Sequence, residues 1–318
     1  MKKALTFALS VLACVASSAD TAYPNKPVTL VVAYAPGGMT DILTRKIAKD
    51  LQDSLGQTFV VENKSGATGQ IATNYVAHKP ADGYTILVGA TSHVINPALK
   101  KSLPYDPHKA FDPIALLAVS PNFVLVNSRL GIKSFEQLKQ VAQERKTLPF
   151  GTAGTGGAPH IVGELLAKQS GLPFVHVPYK GSGPAMADLV AGQVPFGVSE
   201  SVTANAYLKG GQIIALAVAS AQRSKQYPSV PTLNELGYKD FDLTTWVGVY
   251  APAGTPPDIL QKLNAHIRKA ILNPDTLSYI QSTGSEPGAM NLEAYSAFVN
   301  MEFDKWARVI KEADVKDE

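Results

Sequence analysis

One unit recurs along this 318-residue chain and limits what it can fold into: a short apolar strand, a glycine-rich turn and a helix. In the first copy, residues 28–33 form a run rich in β-branched residues, which is typical of a buried strand. A Pro-Gly-Gly turn follows, and apolar residues then recur every four positions from Leu43 to Leu55. This spacing predicts a helix that Thr40 or Asp41 caps.

Further copies predict a two-lobed α/β protein. Alternating strands and helices are typical of parallel sheets, and about 300 mature residues are enough for two domains. We expect residues 20–126 to form the first part of lobe 1, 127–247 to form lobe 2, and 248–318 to return to lobe 1. Further strands are predicted at 58–61, 84–89, 174–177, 194–198, 213–219 and 246–250, and a short strand is predicted to end at Phe150. Helices are predicted at 161–168, 184–191, 257–272 and 292–311.

The N-terminus has the pattern of a cleaved secretory signal. Two lysines precede an apolar stretch that ends near Ala16, and small residues follow at 17–19. The stretch is shorter than the roughly 18 residues that a membrane span needs. We therefore expect residues 1–19 to be removed and the mature chain to be periplasmic; a buried N-terminal helix is the alternative. The single cysteine, Cys14, lies in this segment, so lipid anchoring there stays open while disulfides in the mature chain are excluded.

Several classes of function find no support in the sequence. The net charge is +3, and its dispersed lysines and arginines form no basic stripe for nucleic acid. The run from Gly154 to Gly156 has Pro159 where a dinucleotide fingerprint needs its third glycine. No phosphate-binding Gly-Lys-Ser/Thr loop and no Gly-x-Ser-x-Gly nucleophile motif occurs.

The histidines predict no metal site. His160 and Glu164 share a helical face, but two ligands do not make a zinc site. We expect His160 to pack or cap near the glycine-rich turn, and His176 to be a core histidine. No nucleophile–base pair is visible either, so we predict neither an enzyme nor a cofactor. The six histidines are His78, His93, His108, His160, His176 and His266.

The turns after the strands are the candidate binding site. Residues 36–41, 151–157 and 179–183 are rich in glycine, serine and threonine, and 90–92 form a fourth candidate. In open α/β sheets, ligands bind at the carboxyl ends of the strands. Glycine lets the backbone approach a ligand, and helix N-termini favour negative charge. Converging turns predict a carboxylate site; the alternative is that the turns only punctuate the fold.

A few side chains keep two interpretations. Glu200 could face a cleft or lie in an exposed loop. Lys180 could neutralise an anion or be solvated. Tyr34, Tyr179 and Trp246 could wall a pocket or pack in the core.

Seven short motifs occur in a fixed order over essentially the whole mature chain. They are YPNKPV at 23–28, APGGMTD at 35–41, VENKSGA at 61–67, PADGYT at 80–85, LPYDP at 103–107, HVPYKG at 176–181 and APAGTP at 251–256. Each is weak alone, but the ordered set is highly specific. With these motifs the chain resembles the tripartite tricarboxylate transporter substrate-binding receptors, also called the Bug or TctC-like family.

The resemblance implies a fold and a role. The fold is the two-lobed periplasmic-binding-protein (Venus flytrap) fold, with a ligand cleft between lobes that close at a hinge. The role is to bind a small organic (di)carboxylate and deliver it to a tripartite tricarboxylate-type membrane permease. We expect a monomer without nucleic-acid partners. Partnership with a sensor kinase, or a secreted α/β enzyme, stays as an alternative.

The resemblance also implies ligand contacts from both lobes. Relatives bind a carboxylate through the turn after the first strand, often with bridging water, and through the turns of the second lobe. Carried over residue by residue, and with the fourth turn and the end of the strand near 198 added, the candidate ligand-binding residues are Pro36, Gly37, Gly38, Met39, Thr40, Asp41, Thr91, Ser92, Thr152, Ala153, Gly154, Thr155, Tyr179, Lys180, Gly181, Ser182, Ser199 and Glu200.

This chain departs from the family pattern at one point. Relatives usually carry Phe-Asp-Asn where it has Val198, Ser199 and Glu200, so the usual acidic position falls on Ser199. Side chains alternate along a strand, so Glu200 cannot be assumed to replace the missing acid. We hypothesise that its loss shifts preference from amino acids towards plain or aromatic carboxylates.

Overall fold

The computed structural model describes residues 23–316, which contain two mixed sheets with helices on their faces. The strands are β1 Val28–Val32, β2 Phe59–Asn63, β3 Thr85–Ala90, β4 Phe111–Ser120, β5 Asn122–Asn127, β6 Leu148–Thr152, β7 Phe174–Pro178, β8 Phe196–Glu200, β9 Ile213–Val218, β10 Thr245–Pro252 and β11 Glu286–Pro287. The helices are α1 Met39–Leu55, α2 Gln70–Ala77, α3 Ser92–Leu99, α4 Phe135–Gln143, α5 Ala158–Ser170, α6 Ser182–Ala191, α7 Ser201–Lys209, α8 Pro257–Ile271, α9 Pro274–Ser282 and α10 Leu292–Ala313.

Each sheet defines one lobe. Lobe 1 has the strand order β11-β4-β10-β3-β1-β2, and lobe 2 has the order β7-β6-β8-β5-β9. The predicted parallel pairing holds for β1 with β2 and β3, and for β6 with β7 and β8. It does not hold for β4, β5 and β10, which pair antiparallel. These three strands flank the two points where the chain passes between the sheets.

Strand pairing locates the passages between the lobes. β4 ends at Ser120 and β5 begins at Asn122, so only Pro121 lies between the two sheets. The return lies between Val218, the end of β9, and Thr245, the start of β10. The predicted ranges broke the chain after residues 126 and 247, inside β5 and β10. We propose moving both lobe boundaries, to Pro121 and to residue 244.

The helix α5 lies directly on its own sheet. A Cβ atom at Gly163 would come within 2.1 Å of the Phe150 ring, so this helix position accepts only glycine at the observed distance. Phe150, Phe196 and Leu166 share one buried cluster on this side of lobe 2. The close packing fixes where the N-terminus of α5 points, and that end is part of the cleft described below.

The C-terminal helix α10 contacts both lobes. It packs against α3 and β4 in lobe 1 and against α5 in lobe 2. Near its middle, Oε2 of the buried Glu302 accepts hydrogen bonds from the indole Nε1 of Trp246 at 2.8 Å and of Trp306 at 2.9 Å. Towards its end, Gln169 Nε2 in α5 donates to Glu312 Oε1 at 2.9 Å. The helix α10 therefore connects the two lobes, in addition to the two passages of the chain between them.

The predicted signal segment 1–19 and Cys14 lie outside the described residues. Within residues 23–316 no helix has the length and apolar character of a membrane span.

Candidate functional site

A cleft of about 780 Å³ lies between the lobes, at the carboxyl ends of β1, β3, β6 and β8. Both lobes contribute to its wall, as the two sets of glycine-rich turns predicted. Of the eighteen candidate residues, those that line it are Pro36, Gly38, Met39, Thr40, Thr91, Ser92, Ala153, Gly154, Thr155, Lys180, Gly181, Ser182 and Glu200.

Three helices with a glycine N-cap present bare N-termini to this cleft. The N-cap residues are Gly38 for α1, Gly157 for α5 and Gly181 for α6, and none of them has a side-chain capping bond. The first N–H groups of a helix have no partner inside the helix. Because the helix dipole adds positive potential there, such ends bind anions. One end comes from lobe 1 and two come from lobe 2.

Hydroxyl groups of lobe 1 form part of the wall. The Tyr34 hydroxyl lies 2.5 Å from Ser92 Oγ, and Thr91 Oγ1 accepts a hydrogen bond from the Trp246 backbone N–H at 2.7 Å. Burial raises the pKa of Tyr34 to about 12; the Ser92 hydrogen bond lowers it and the charge of Glu200 raises it by smaller amounts, both included in that value. Tyr34 is thus a neutral donor at the wall, whereas the Trp246 side chain is fully buried in the core.

Asp41 supports the first turn from below and does not line the cleft. The prediction that Thr40 or Asp41 caps α1 is wrong, because the helix begins at Met39 and the N-cap is Gly38. The buried Asp41 carboxylate accepts hydrogen bonds from Gly37 N at 2.9 Å, from Asn63 Nδ2 at 2.9 Å and from Arg45 Nε at 3.0 Å. Burial alone would raise the pKa of Asp41, but these bonds and the Arg45 charge lower it.

Gly37, which Asp41 holds, is also outside the cleft wall. Two candidates of lobe 2 behave in the same way. Thr152 is buried, and its hydroxyl donates to Gly154 O at 3.1 Å. The Tyr179 hydroxyl donates to Asp188 Oδ2 at 2.8 Å; burial, followed by that carboxylate, raises the pKa of Tyr179 to about 12. These residues hold the turns in place by hydrogen bonds and do not line the cleft.

Glu200 lines the cleft and Ser199 does not. Glu200 is half-buried at the N-cap position of α7, and its Oε2 accepts a hydrogen bond from Ser199 Oγ at 3.3 Å. Burial raises the pKa of Glu200, partly offset by hydrogen bonds from its own backbone and from Ser199. A carboxyl group therefore stays in the wall although the usual acidic position holds serine. This removes the premise of the hypothesis that the site has lost its acid.

Two histidines whose rings contact each other at a tilt of 31° lie behind the turn of lobe 2. Their ring centroids are 4.0 Å apart. His160 Nδ1 accepts a hydrogen bond from Gly156 N at 3.2 Å, and His176 Nε2 lies 2.7 Å from Thr152 Oγ1. Because the Thr152 hydroxyl donates to Gly154 O, His176 Nε2 is the donor to Thr152. His160, His176 and Glu164 bring possible metal-ligand atoms within 4.8 Å, but the two histidine nitrogens named here are already engaged with the turn.

Sequence reasoning missed several residues of the wall. Thr68 lies in a short 3-10 turn with a φ of 51°, Thr203 is in the first turn of α7, and Thr245 begins β10. Thr68 stands in the glycine-rich turn of residues 64–69 after the parallel strand β2, so the pattern used for the other turns could have found it. Thr203 and Thr245 stand in no such turn, and the pattern could not reach them. The remaining missed wall residues are Ala35, Ala158, Pro159, Pro184, Val202 and Val247. Ala90, Gly157 and Gly183 also line the wall; they lie within the predicted turns but were not among the eighteen candidates.

A groove of about 880 Å³ lies on the outer face of lobe 1, beside α1, α8 and the start of α9. It holds charges of both signs, among them Asp50, Asp53, Arg268 and Lys269, and it contains none of the candidate residues. The arrangement of helix N-termini and hydroxyls, and not size, distinguishes the cleft between the lobes.

Known proteins of similar sequence belong to the family that the seven motifs resemble. A family model described as tripartite tricarboxylate transporter family receptor matches residues 43–315. Protein BugT of Bordetella pertussis is 35% identical over 302 residues, which cover 94% of this chain and 92% of that protein.

Solved structures extend the similarity to three dimensions. The structure of R. palustris Rpa4515 with adipate is 34% identical with a TM-score of 0.84, covering 92% of this chain and 99% of that one. MatC from Rhodopseudomonas palustris with bound malate is 32% identical with a TM-score of 0.80, covering 91% and 100%.

Proposed function

The chain belongs to the tripartite tricarboxylate transporter receptor family, and on that basis we propose that it binds one small organic carboxylate in the cleft between its lobes. It is a solute receptor of this family, and the carboxylate ligands of Rpa4515 and MatC support an acid as its ligand. We propose as well that it acts as a monomer in the periplasm and delivers the ligand to the membrane permease subunits.

One observation carries the proposal: three uncapped helix N-termini from both lobes line the same cleft. A carboxylate there would accept hydrogen bonds from backbone N–H groups and from hydroxyls such as those of Thr155 and Ser182. These donors are neutral, and among the described wall residues the one cation is Lys180, which is exposed at its turn. The candidate residues in the wall are the proposed contacts.

Capture follows from the contribution of both lobes. A ligand favours the closed form only through contacts that the open form lacks. Because α1 belongs to lobe 1 while α5 and α6 belong to lobe 2, a bound carboxylate that touches both sides would stabilise closure about the hinge. The permease would then recognise the closed, loaded form.

We propose binding without catalysis. Cleft-lining hydroxyls such as those of Ser92, Thr155 and Ser182 have no histidine, lysine or carboxylate base paired with them among residues 23–316. Nucleophilic catalysis needs such a pair. Incubation with a bound acid followed by chromatography would recover the acid unchanged; a steady appearance of product would favour the enzyme alternative.

A thermal-shift panel tests the proposed function. The purified protein is heated with dicarboxylates, tricarboxylates, aromatic acids and amino acids, each against its uncharged amide as the matched control. A true ligand at a hundred times its Kd adds about 2.7 kcal/mol of stability. Stabilisation by an acid and not by its amide supports an anion site. If no acid stabilises the protein, or amides do so equally, the proposal fails.

A further inference from the structure

Glu200 is a carboxyl group in the cleft wall whose partners do not balance its charge. Its carboxylate accepts hydrogen bonds from the Ser199 hydroxyl and from its own backbone N–H. Of the described residues that line the cleft, only Lys180 and Glu200 are charged, and Lys180 is exposed at a turn without an ion pair to Glu200. Glu200 Oε1 is therefore left to whatever fills the cleft.

The position of Glu200 separates it from the proposed anion contacts. It is the N-cap residue of α7 and makes no side-chain capping bond there, but its own negative charge already lies beside the anion-favouring end of that helix. The N-termini of α1, α5 and α6 stay open to the ligand. Glu200 also faces lobe 1, because its charge acts on the Tyr34 hydroxyl. The cleft thus has three ends that attract a carboxylate and one that already contains one.

A ligand in the closed cleft displaces the water that solvates Glu200. Burying a carboxylate is unfavourable unless a donor or a cation replaces that water. A second carboxylate of the ligand near Glu200 would add repulsion between like charges. An ammonium or hydroxyl group would instead donate a hydrogen bond to the open oxygen, and bonds to a charged acceptor are the stronger ones.

We propose that Glu200 determines specificity: it selects a ligand with one carboxylate for the glycine-rich turns and a hydrogen-bond donor, ammonium above hydroxyl, at the other end, and it rejects a second carboxylate there. This inference rests on the proposed function, since it assumes that the turns hold a carboxylate. It reverses the preference that the sequence hypothesis assigned to Ser199.

Chain-matched ligands test the proposal. Titration calorimetry at neutral pH compares dicarboxylates of four to six carbons with the ω-amino and ω-hydroxy acids of the same length. The wild-type protein should bind the amino acid of a pair about ten-fold more tightly than the dicarboxylate or better. Glu200→Gln keeps the size of the side chain but removes its charge. The ratio of the dicarboxylate Kd to the amino-acid Kd should fall about ten-fold or more in this variant, because the amino acid binds more weakly and the dicarboxylate more tightly.

Controls separate the possible failures. Glu136→Gln removes an exposed carboxylate of α4 in the same lobe and should leave the ratio unchanged. Unfolding curves of both variants show whether they fold. Tighter binding of the dicarboxylate by the wild type, or the same ratio in Glu200→Gln, overturns the role of Glu200 while the carboxylate site stands. If none of the acids binds, the proposed function fails and this inference fails with it.

Discussion

The imidazole rings of His160 and His176 lie with their centroids 4.0 Å apart at a tilt of 31°, and each ring holds one end of the same cleft turn. His160 engages Gly156, and His176 engages Thr152. The residues between these two ends include Ala153, Gly154 and Thr155, which line the cleft. The pair therefore determines where the backbone of this wall lies.

Acid should destabilise the protein partly through this pair. Burial lowers the pKa of His160 to about 4, and burial together with the His160 charge lowers that of His176 to about 3, against 6.5 for a free histidine. Between those values the unfolded chain binds more protons than the folded one, so this stability is complete above pH 6.5 and decreases as the pH falls towards 4. The loss should be on the order of 1–3 kcal/mol per histidine.

Urea unfolding of the wild type and of His160→Gln across this range measures the effect. The variant should lose less stability than the wild type between neutral pH and pH 4. A residual slope is expected in both, because burial also lowers the pKa of His93 to about 4. Parallel curves for the two proteins would contradict the assignment.

Removing the Thr155 hydroxyl should weaken ligand binding without unfolding the protein. Thr155 lines the cleft at the turn before α5, and its backbone is held by neighbours and not by this hydroxyl. Loss of one neutral hydrogen bond corresponds to about 1 kcal/mol, or roughly five-fold in Kd. Calorimetry of Thr155→Ala with a ligand from the thermal-shift panel measures the change, and Thr155→Ser should restore most of the affinity. An unaltered Kd in the alanine variant would remove Thr155 from the site.

A bulky side chain at Gly38 should block the opposite wall. Gly38 has a φ of −79°, which any residue adopts, and an added Cβ would meet only Ala35 O at 3.9 Å. Gly38→Val should therefore fold normally while its methyl groups occupy space at the N-terminus of α1. The expected loss of affinity is about ten-fold or more. Gly56→Val is not a suitable control because its φ is 68°. Gly183 lies in the cleft wall of lobe 2 and an added Cβ there would meet no atom within 4 Å, so Gly183→Val makes the matching test in lobe 2 and should also weaken binding.

The fold could be predicted where local chemistry decides it. Apolar runs bounded by glycine predicted β1 and β3, and the predicted end of α1 is confirmed at Gly56, which is left-handed at a φ of 68°. The passage between the lobes at Pro121 was not predicted. Ser120, Pro121 and Asn122 favour a turn, but they do not show that β4 and β5 join different sheets. Which sheet each half joins depends on pairing with strands far away in the chain.

The site shows the same limit. Glycine-rich turns led to most of the cleft wall because N-cap glycines give a local signal. Asp41 is held by a hydrogen bond from Asn63, 22 positions later. The sequence pattern therefore could not show whether the Asp41 carboxylate supports the turn or contacts the ligand. The orientation of Glu200 depends on how β8 ends against β5. Tertiary partners decide both questions.

The hydrogen bonds of Glu302 predict how α10 stabilises the protein. Replacing Glu302 by alanine would leave two buried indole N–H groups, of Trp246 and Trp306, without an acceptor, and would remove the nearer of the two ion pairs of Lys305. The expected loss is about 2–4 kcal/mol in the free energy of unfolding. Asp304→Ala, exposed on the same helix, controls for helix propensity and should change stability by less than about 0.5 kcal/mol.

The same variant should also affect the cleft. The backbone N–H of Trp246 donates a hydrogen bond to Thr91 Oγ1, so greater mobility of Trp246 would displace a residue of the cleft wall. Because α10 also packs against α5 in lobe 2, the contact between the lobes would weaken as well. Glu302→Gln keeps one oxygen acceptor and should lie between the wild type and the alanine variant in stability. Urea unfolding of all three, with ligand affinity measured well below the midpoint, tests this order. A glutamine variant as unstable as the alanine variant would show that the negative charge, and not the acceptor oxygen, holds α10 in place.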